Sequence, residues 1–157
     1  MRYLPISIDS RNKKVLIIGG GKVAYRKVLS LLRGEFAITV ISKDFHEKFI
    51  KLYNENPNRL TLKMHKVTKE NLKIDCDYLI IATYDIELND YIETIAAMDK
   101  LTYLRVDTKS DSNFIMNKII TKGDISISIS ANGKNPTLTR VIAKDIDKIL
   151  EENKVEE

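Results

Sequence analysis

Short apolar runs alternate with helical patterns along the first two thirds of the chain. Most runs have the length and β-branched content of strands and are almost continuously apolar, which is typical of strands buried on both faces of a parallel sheet. The predicted strands span 14–18, 37–42, 60–67, 77–83 and 102–107, and the predicted helices span 23–32, 44–56 and 87–98. This order predicts an α/β fold, a Rossmann-like parallel sheet with helices on both faces.

The pattern changes after residue 113. Two strand-like runs in 117–130 flank Lys122-Gly123-Asp124, which is a hairpin signal. From Pro136 onward, with Asn135 as a candidate cap, apolar residues recur on one face of a helix. This stripe covers either the edge of the sheet or a second chain, and we favour the second chain. We therefore predict a Rossmann domain over 1–113 and a β-hairpin and helix dimerisation segment over 114–157.

Three glycines follow the first predicted strand. Gly19-Gly20-Gly21-Lys22-Val23-Ala24 fits G-x-G-x-x-A between a strand and a helix, the context that makes this pattern indicative of a dinucleotide site. We expect Gly19 to permit the tight turn, Gly21 to let a pyrophosphate approach the backbone, and Ala24 to let the helix pack closely. The helix N-terminus offers N–H groups to the phosphates. A glycine turn without a ligand is the disfavoured alternative.

The end of the second predicted strand bears on the choice of cofactor. An acidic residue there usually binds the ribose hydroxyls. Here the strand ends at Ser42-Lys43-Asp44. Asp44 suits a ribose, or is an ordinary surface residue, whereas Lys43 suits a 2′-phosphate. The residues by themselves leave NAD and NADP both open.

Composition and charge narrow the class of protein. The chain has 157 residues and a net charge of +4, which favours an anionic partner. Its lysines are dispersed and no nucleic-acid-binding signature appears, so we predict no nucleic-acid partner. It has no apolar run of membrane-spanning length and no signal-peptide core, which predicts no membrane association and a cytoplasmic location. The single cysteine, Cys76, is expected to be a buried thiol.

Two residues are predicted at the carboxyl edge of the sheet, where such folds bind ligands. Asp107 ends a predicted strand and is a candidate general base, with a helix cap or loop carboxylate as the alternative. Thr83 follows another strand and is a candidate cofactor contact. Asp85, just after it, is expected to cap the next helix.

Four stretches carry a resemblance to a known family: LPISIDSRNKKVLIIGGGKVAYRK, IIATYDIELN, VDTKSDSNFIMNKII and GDISISISANGKNPTLTRVIAKDI. They cover residues 4–146. Their order and content resemble the precorrin-2 dehydrogenase family, including the N-terminal dehydrogenase module of siroheme synthase. This combination is far more specific than the glycine pattern alone.

The resemblance implies NAD-dependent oxidation of precorrin-2 to sirohydrochlorin, in siroheme or related tetrapyrrole synthesis, by a homodimer. By position, Asp107 corresponds to the family's catalytic aspartate. Lys22, Val23, Lys43 and Asp44 match its cofactor-contact positions, which favours NAD.

The substrate carries many carboxylates, which suits a basic chain. The candidates to hold it are Asn113 and three residues ahead of the last helix, Ser130, Asn132 and Lys134. An ordinary strand-to-helix connection is an equal alternative for that loop.

The chain also departs from the family. Ala131 stands where some relatives have serine, and Asn117 where many have proline. The C-terminal helical domain of many relatives is expected to be absent, which puts substrate closure in question, and no methyltransferase module is expected. The two histidines, His46 and His65, lack metal-ligand spacing, so no metal site is predicted. Some members of the family also insert iron into sirohydrochlorin. The residues give no support for that activity here, although a carboxylate base would serve that reaction too.

Two other functions fit part of the pattern. A nucleotide-sensing regulatory dimer shares the βαβ start but normally has an acid where this chain has Ser42. A non-catalytic partner of a tetrapyrrole enzyme is the second alternative.

Overall fold

The structure is a computed structural model that describes residues 2–108 and 112–152. The chain divides into a larger compact unit, Ile8–Phe114, and a smaller unit built from Met1–Ser7 and Ile115–Glu157.

The larger unit is a five-stranded parallel sheet of order β3-β2-β1-β4-β5. The chain builds β1, β2 and β3 towards one edge and then returns to place β4 and β5 on the other side of β1. This arrangement confirms the predicted fold class. Its strands are β1 (Lys14–Ile18), β2 (Ala37–Ser42), β3 (Leu60–Met64), β4 (Tyr78–Ile81) and β5 (Thr102–Arg105), and its helices are α1 (Lys22–Leu31), α2 (Lys48–Glu55) and α3 (Ile86–Met98).

The core lies around β1, the central strand of the sheet, and its neighbour β4. Residues 15–18 and 79–81 are all buried, as strands covered on both faces must be. Helix α3 packs against them through Leu88, Ile92 and Ala96, which recur every fourth residue and are buried. This stripe fixes the rotation of α3 and therefore which of its polar residues face the end of β5.

The strands end earlier than the apolar pattern predicts. The fifth predicted strand ends at Arg105 rather than at Asp107, and the fourth ends at Ile81 rather than at Thr83. Beyond these points the neighbouring strands have already stopped, and only single hydrogen bonds continue the sheet: Ala82 N donates to Ile18 O, and Val106 N to Ile81 O. Asp107 and Thr83 therefore lie in turns just past the carboxyl ends of β5 and β4.

The smaller unit contains the predicted hairpin and helix: β6 (Lys118–Lys122), β7 (Ile125–Ile129) and α4 (Pro136–Glu152). Gly123 begins the two-residue turn with φ +52°. Asn135 caps α4 as predicted, since its Oδ1 accepts a hydrogen bond from Leu138 N at 3.0 Å. Among the described residues of α4, Ala143 alone is buried, so most of the apolar stripe lies on the surface.

Cys76 is half-buried and packs against the core cluster beside β4. Burial raises the pKa of its thiol to about 11, which keeps it protonated and unreactive at neutral pH. No helix among the described residues is long and apolar enough to cross a membrane.

Replacement of Gly19 by alanine should strongly destabilise the larger unit. Gly19 has φ +116°, and an added Cβ would lie 2.2 Å from the carbonyl oxygen of Ala82. Backbone strain and overpacking together should lower the free energy of unfolding by about 2–5 kcal/mol in urea titrations.

Gly21→Ala in the same loop is the matched control. Gly21 has φ −78°, and the nearest atom to its added Cβ is the Tyr84 hydroxyl at 3.1 Å, at the tip of an exposed side chain. Its cost should stay below about 1 kcal/mol. Equal costs for the two variants would contradict the close approach of Gly19 to β4.

Candidate active site

The glycine loop between β1 and α1 is held against the ends of two other strands. Gly19 N donates to Ile41 O at 2.8 Å, and His46 N donates to Gly20 O at 2.8 Å. A Cβ on Gly20 would lie 2.3 Å from the carbonyl oxygen of Asp44. Gly19 and Gly20 are therefore both required by packing, against β4 and against the chain after β2. The G-x-G-x-x-A pattern allows any residue at position 20, so it does not predict the requirement for glycine there.

Helix α1 begins without a side-chain cap. Gly21 is its N-cap, and its first turn contains Lys22 and no acidic residue. Helix α3, by contrast, is capped as predicted by Asp85, whose carboxylate accepts from Leu88 N at 3.0 Å. No side chain therefore caps the first N–H groups of α1, which makes this helix end suitable for an anion. Lys22 is exposed and Val23 half-buried, while Ala24 is fully buried as the fingerprint predicts.

The residues after β2 lie beside this loop. The Cβ of Ser42 would be 2.8 Å from a Cβ on Gly20. Lys43 and Asp44 follow, with side chains 72% and 80% exposed and a weak 3.7 Å ion pair between them. The structure thus brings the predicted pyrophosphate and ribose residues together at one end of the sheet.

Asp107 lies just past the end of β5, and side chains of the described residues donate three hydrogen bonds to its carboxylate. Oδ1 accepts from Arg105 Nε at 2.7 Å, and Oδ2 accepts from Arg105 Nη2 and from Asn89 Nδ2, each at 3.0 Å. The residue as a whole is exposed, but its side chain is only 21% exposed. Asp107 is therefore an oriented carboxylate and not a free loop residue.

Arg105 is the buried centre of this cluster. Its side chain is 3% exposed, and its Nη1 donates to Asp90 at 2.5 Å and to Glu93 at 2.9 Å. Because a buried guanidinium needs charged partners, two carboxylates from α3 and one from the turn after β5 surround it. The polar residues of α3 that take part are close together along the helix: Asn89, Asp90 and Glu93. They lie beside the buried apolar stripe, so the packing of that stripe brings them to the end of β5.

A second chain of hydrogen bonds links Asp107 to the end of β4. Asn89, which is fully buried, donates to Asp107 and to the carbonyl oxygen of Thr83, and its Oδ1 accepts from the Thr83 hydroxyl at 2.5 Å. Thr83 Oγ1 also accepts from Asp85 N at 3.1 Å. Both the hydroxyl proton and the carbonyl oxygen of Thr83 are therefore hydrogen-bonded to Asn89 inside the protein.

The Arg105 guanidinium, and less strongly the Asn89 amide, hold the pKa of Asp107 below its ordinary value, against the opposing effect of partial burial. The same ion pairs, led by Asp107, raise the pKa of Arg105 far above its usual range. Both groups are fully charged at neutral pH. Asp107 can accept a hydrogen bond or a proton but has no proton to give.

Other predicted substrate residues lie elsewhere. Asn113 Oδ1 accepts from Tyr103 N at 2.8 Å and Asn113 Nδ2 donates to Leu101 O, so its amide braces the first half of β5 and not the end that bears Asp107. In the smaller unit, Ser130, Asn132 and Lys134 share the turn before α4. Ser130 Oγ accepts from Asn132 N at 3.2 Å, and Asn132 adopts φ +51°.

Pattern reasoning missed the residues that surround the candidate base. Arg105 and Asn89 carry no recognised motif, although a charged residue inside an apolar strand and a polar residue beside a helix stripe are signals that each needs a partner. Tyr84 was also missed. Its hydroxyl is the nearest atom to a Cβ on Gly21, although the residue is 90% exposed. No cluster of three His, Cys, Asp or Glu residues able to hold a metal occurs within 2–108 and 112–152.

A family model described as "Putative NAD(P)-binding" matches residues 6–118. The siroheme synthase of Actinobacillus pleuropneumoniae serotype 7 is 30% identical over 154 residues, which cover 98% of this chain and 31% of that protein. The siroheme synthase of Vesicomyosocius okutanii is 33% identical over 151 residues, covering 96% of this chain and 32% of that protein. The chain thus spans about a third of the length of these curated relatives.

A solved structure named SirC, precorrin-2 dehydrogenase, matches with a TM-score of 0.75 and 27% identity, covering 93% of this chain and 70% of that one. With the family model, this match confirms the resemblance to the precorrin-2 dehydrogenases and the prediction of a nicotinamide dinucleotide as cofactor.

Asp107→Asn should destabilise the protein in a pH-dependent way. The folded pKa of Asp107 lies below the ordinary 3.8, so its stabilising effect is complete above that pH and is lost as the pH falls through the folded pKa. Asparagine also turns an N–H group towards donors. We expect a loss of about 1.5–3 kcal/mol at pH 7 that shrinks towards zero in strong acid, measured by urea unfolding at several pH values.

Asp44→Asn is the control for this experiment, because its carboxylate is 80% exposed and makes only a 3.7 Å ion pair. It should change stability by less than about 0.5 kcal/mol. A loss for Asp107→Asn that is the same at every pH would argue against an ionised, hydrogen-bonded Asp107.

Proposed function

Because this chain belongs to the NAD(P)-binding family that matches its residues 6–118, we propose that it is a precorrin-2 dehydrogenase, which oxidises precorrin-2 to sirohydrochlorin with NAD in siroheme or related tetrapyrrole synthesis. One observation carries the proposal. An oriented, ionised carboxylate, Asp107, lies past the carboxyl end of β5, in the same compact unit and at the same sheet edge as an uncapped glycine loop. That edge is where open α/β sheets bind ligands.

The residues of the loop fit a dinucleotide. A side chain at Gly19 or Gly20 would collide with backbone carbonyl groups, and α1 begins with free N–H groups and a lysine. Gly21 to Ala24 would hold the pyrophosphate at this helix end, and Ser42 to Asp44 would contact the adenosine ribose. Bound NAD supplies the hydride acceptor.

NAD is favoured over NADP by the residues after β2. The carboxylate of Asp44 is exposed and able to accept hydrogen bonds from ribose hydroxyls. It also lies 3.7 Å from Lys43 Nζ, so it partly neutralises the charge that a 2′-phosphate would need. Support for NAD therefore rests on this pair together with the position match to the family.

Asp107 is the proposed catalytic residue. Oxidation of precorrin-2 removes a hydride and a proton. Bound NAD would accept the hydride. The carboxylate of Asp107 would receive the proton, or would orient the N–H group that releases it, and solvent would then take the proton up. A carboxylate with a lowered pKa suffices, because a ring that has lost a hydride is strongly acidic.

We place the acidic side chains of the substrate against the turn before α4. Lys134 is exposed there, and Ser130 and Asn132 add polar groups. A lysine suits the carboxylates of the substrate. The cytoplasm is the proposed compartment, as the sequence predicts.

The smaller unit is proposed to form a homodimer, with the dimerisation segment at 114–157. It exposes several large apolar side chains, and a concentration of such residues on one unit favours an interface. They include Leu4, Ile6, Ile125, Leu138, Val141 and Ile149, each between 47% and 73% exposed.

Val141→Lys should therefore convert the dimer to a monomer in light scattering after size exclusion, because a buried, unpaired lysine is not tolerated at an interface. Ile50→Lys on α2 is the matched control: Ile50 is 67% exposed, more than the 51% of Val141, but belongs to the larger unit. A wild-type chain that runs as a monomer, or a dimer equally lost in both variants, would contradict this interface.

The reaction itself is tested by NADH formation at 340 nm with enzymatically made precorrin-2, with NAD and NADP offered separately. We expect turnover with NAD, and a loss of at least about 100-fold in kcat for Asp107→Ala in protein shown to be folded and to bind NAD, because the variant removes the proposed acid–base group. A protein that binds NAD without turnover would instead support the nucleotide-sensing dimer or the non-catalytic partner.

A further inference from the structure

Side chains from two elements, β5 and α3, donate hydrogen bonds to the carboxylate of Asp107. The Nε and Nη2 atoms of Arg105 form a fork that contacts both carboxylate oxygens, at 2.7 and 3.0 Å. Two parallel hydrogen bonds of this kind fix the plane of the carboxylate as well as its position. The amide of Asn89, from α3, adds a third hydrogen bond to Oδ2.

Further hydrogen bonds hold Arg105 itself in place. Its remaining edge donates through Nη1 to Asp90 and Glu93, and its backbone N–H donates to Ser112 Oγ at 2.9 Å. Only 3% of the Arg105 side chain is exposed, so it does not present a surface to a ligand. It can act on a reaction only through Asp107.

The two carboxylate oxygens are unequally occupied. A carboxylate oxygen accepts about two hydrogen bonds. Among the described residues, Oδ2 receives two side-chain donors and Oδ1 receives one, and the backbone N–H of Asp107 also contributes a hydrogen bond to the carboxylate. Counting side-chain donors of the described residues, Oδ1 is therefore the less occupied oxygen.

We propose that Arg105, assisted by Asn89, is the positioning residue of the site. Its fork fixes the plane of the Asp107 carboxylate, and the added donor from Asn89 on Oδ2 leaves Oδ1, with one side-chain donor, as the oxygen that meets the substrate. This inference rests on the proposed dehydrogenase function. It adds a role for a residue that never contacts substrate or cofactor.

The charges around the carboxylate determine how removal of Arg105 would appear. Among the described residues, β5 supplies the cation Arg105, and α3 supplies the two further anions Asp90 and Glu93. Without the guanidinium, Asp107 would lose its main stabilising partner and face uncompensated negative charge. Its pKa would rise, so the acid limb of the pH profile would move to higher pH.

The test compares Arg105→Met, Arg105→Lys and a matched control, Arg59→Lys. Arg59 is also a partly buried arginine, and it immediately precedes β3, at the opposite edge of the sheet. Its guanidinium donates to the carbonyl oxygens of Leu32 and Gly34 and to no carboxylate among the hydrogen bonds of the described residues. For each protein, kcat and kcat/KM for precorrin-2 are measured as a function of pH, and the Kd for NAD is measured by calorimetry. The Asp107 carboxyl group is titrated by ¹³C NMR, and the Asp107→Asn variant assigns its signal.

Arg105→Met should lower kcat by about 10- to 100-fold, as a misplaced catalytic group does, and should move the acid limb and the NMR titration to higher pH. Arg105→Lys keeps a charge without the fork, so it should fold and show a smaller change of the same sign. Arg59→Lys should match the wild type, and the Kd for NAD should stay within about twofold in every variant.

A folded Arg105→Lys protein with wild-type kcat, pH profile and carboxyl titration would overturn the proposal. If Arg105→Met does not fold, Arg105→Lys decides alone. If the wild type shows no turnover, the dehydrogenase function has failed separately. The NMR titration then still tests the positioning role: a shift in Arg105→Lys supports it and no shift overturns it.

Discussion

The burial of one arginine organises the functional end of this sheet. Arg105 closes β5 with its side chain 3% exposed, and a guanidinium removed from water must be surrounded by acceptors. The turn after β5 supplies Asp107, and α3 supplies Asp90 and Glu93. Helix α3 can do so only because its apolar stripe sets its rotation against the core. The need of the buried guanidinium for carboxylate partners and the apolar packing of α3 thus together determine where Asp107 lies.

The glycine loop meets a different constraint at the same edge. There the limit is space: the backbone passes so close to the ends of β2 and β4 that Gly19 and Gly20 admit no side chain. Helix α1 begins immediately afterwards with its N–H groups uncapped. The Thr83–Asn89 hydrogen bonds connect the turn after β4, which Gly19 approaches closely, to Asp107, so the proposed cofactor and proton sites lie at one edge of the larger unit.

Periodicity sufficed to predict the order of elements, because nearly continuous apolar runs such as those of β1 and β4 have no stable place outside a covered parallel sheet. It misplaced strand ends by two residues at β4 and β5, since an end depends on where the neighbouring strand stops. The fingerprint located the phosphate-binding turn. Arg105 and Asn89 could not be predicted, because their roles exist only when β5 and α3 meet, and the amide of Asn113 was committed to β5 by the same kind of tertiary contact.

The most direct test of the account is a crystal structure of the protein with NAD bound. The account predicts the pyrophosphate at the N-terminus of α1, the adenosine ribose beside Asp44, and the nicotinamide on the side of β4 and β5, with Asp107 still paired to Arg105. Density for the pyrophosphate away from the Gly19–Gly21 loop, or a nicotinamide placed towards β3, would separate cofactor from carboxylate and contradict the account.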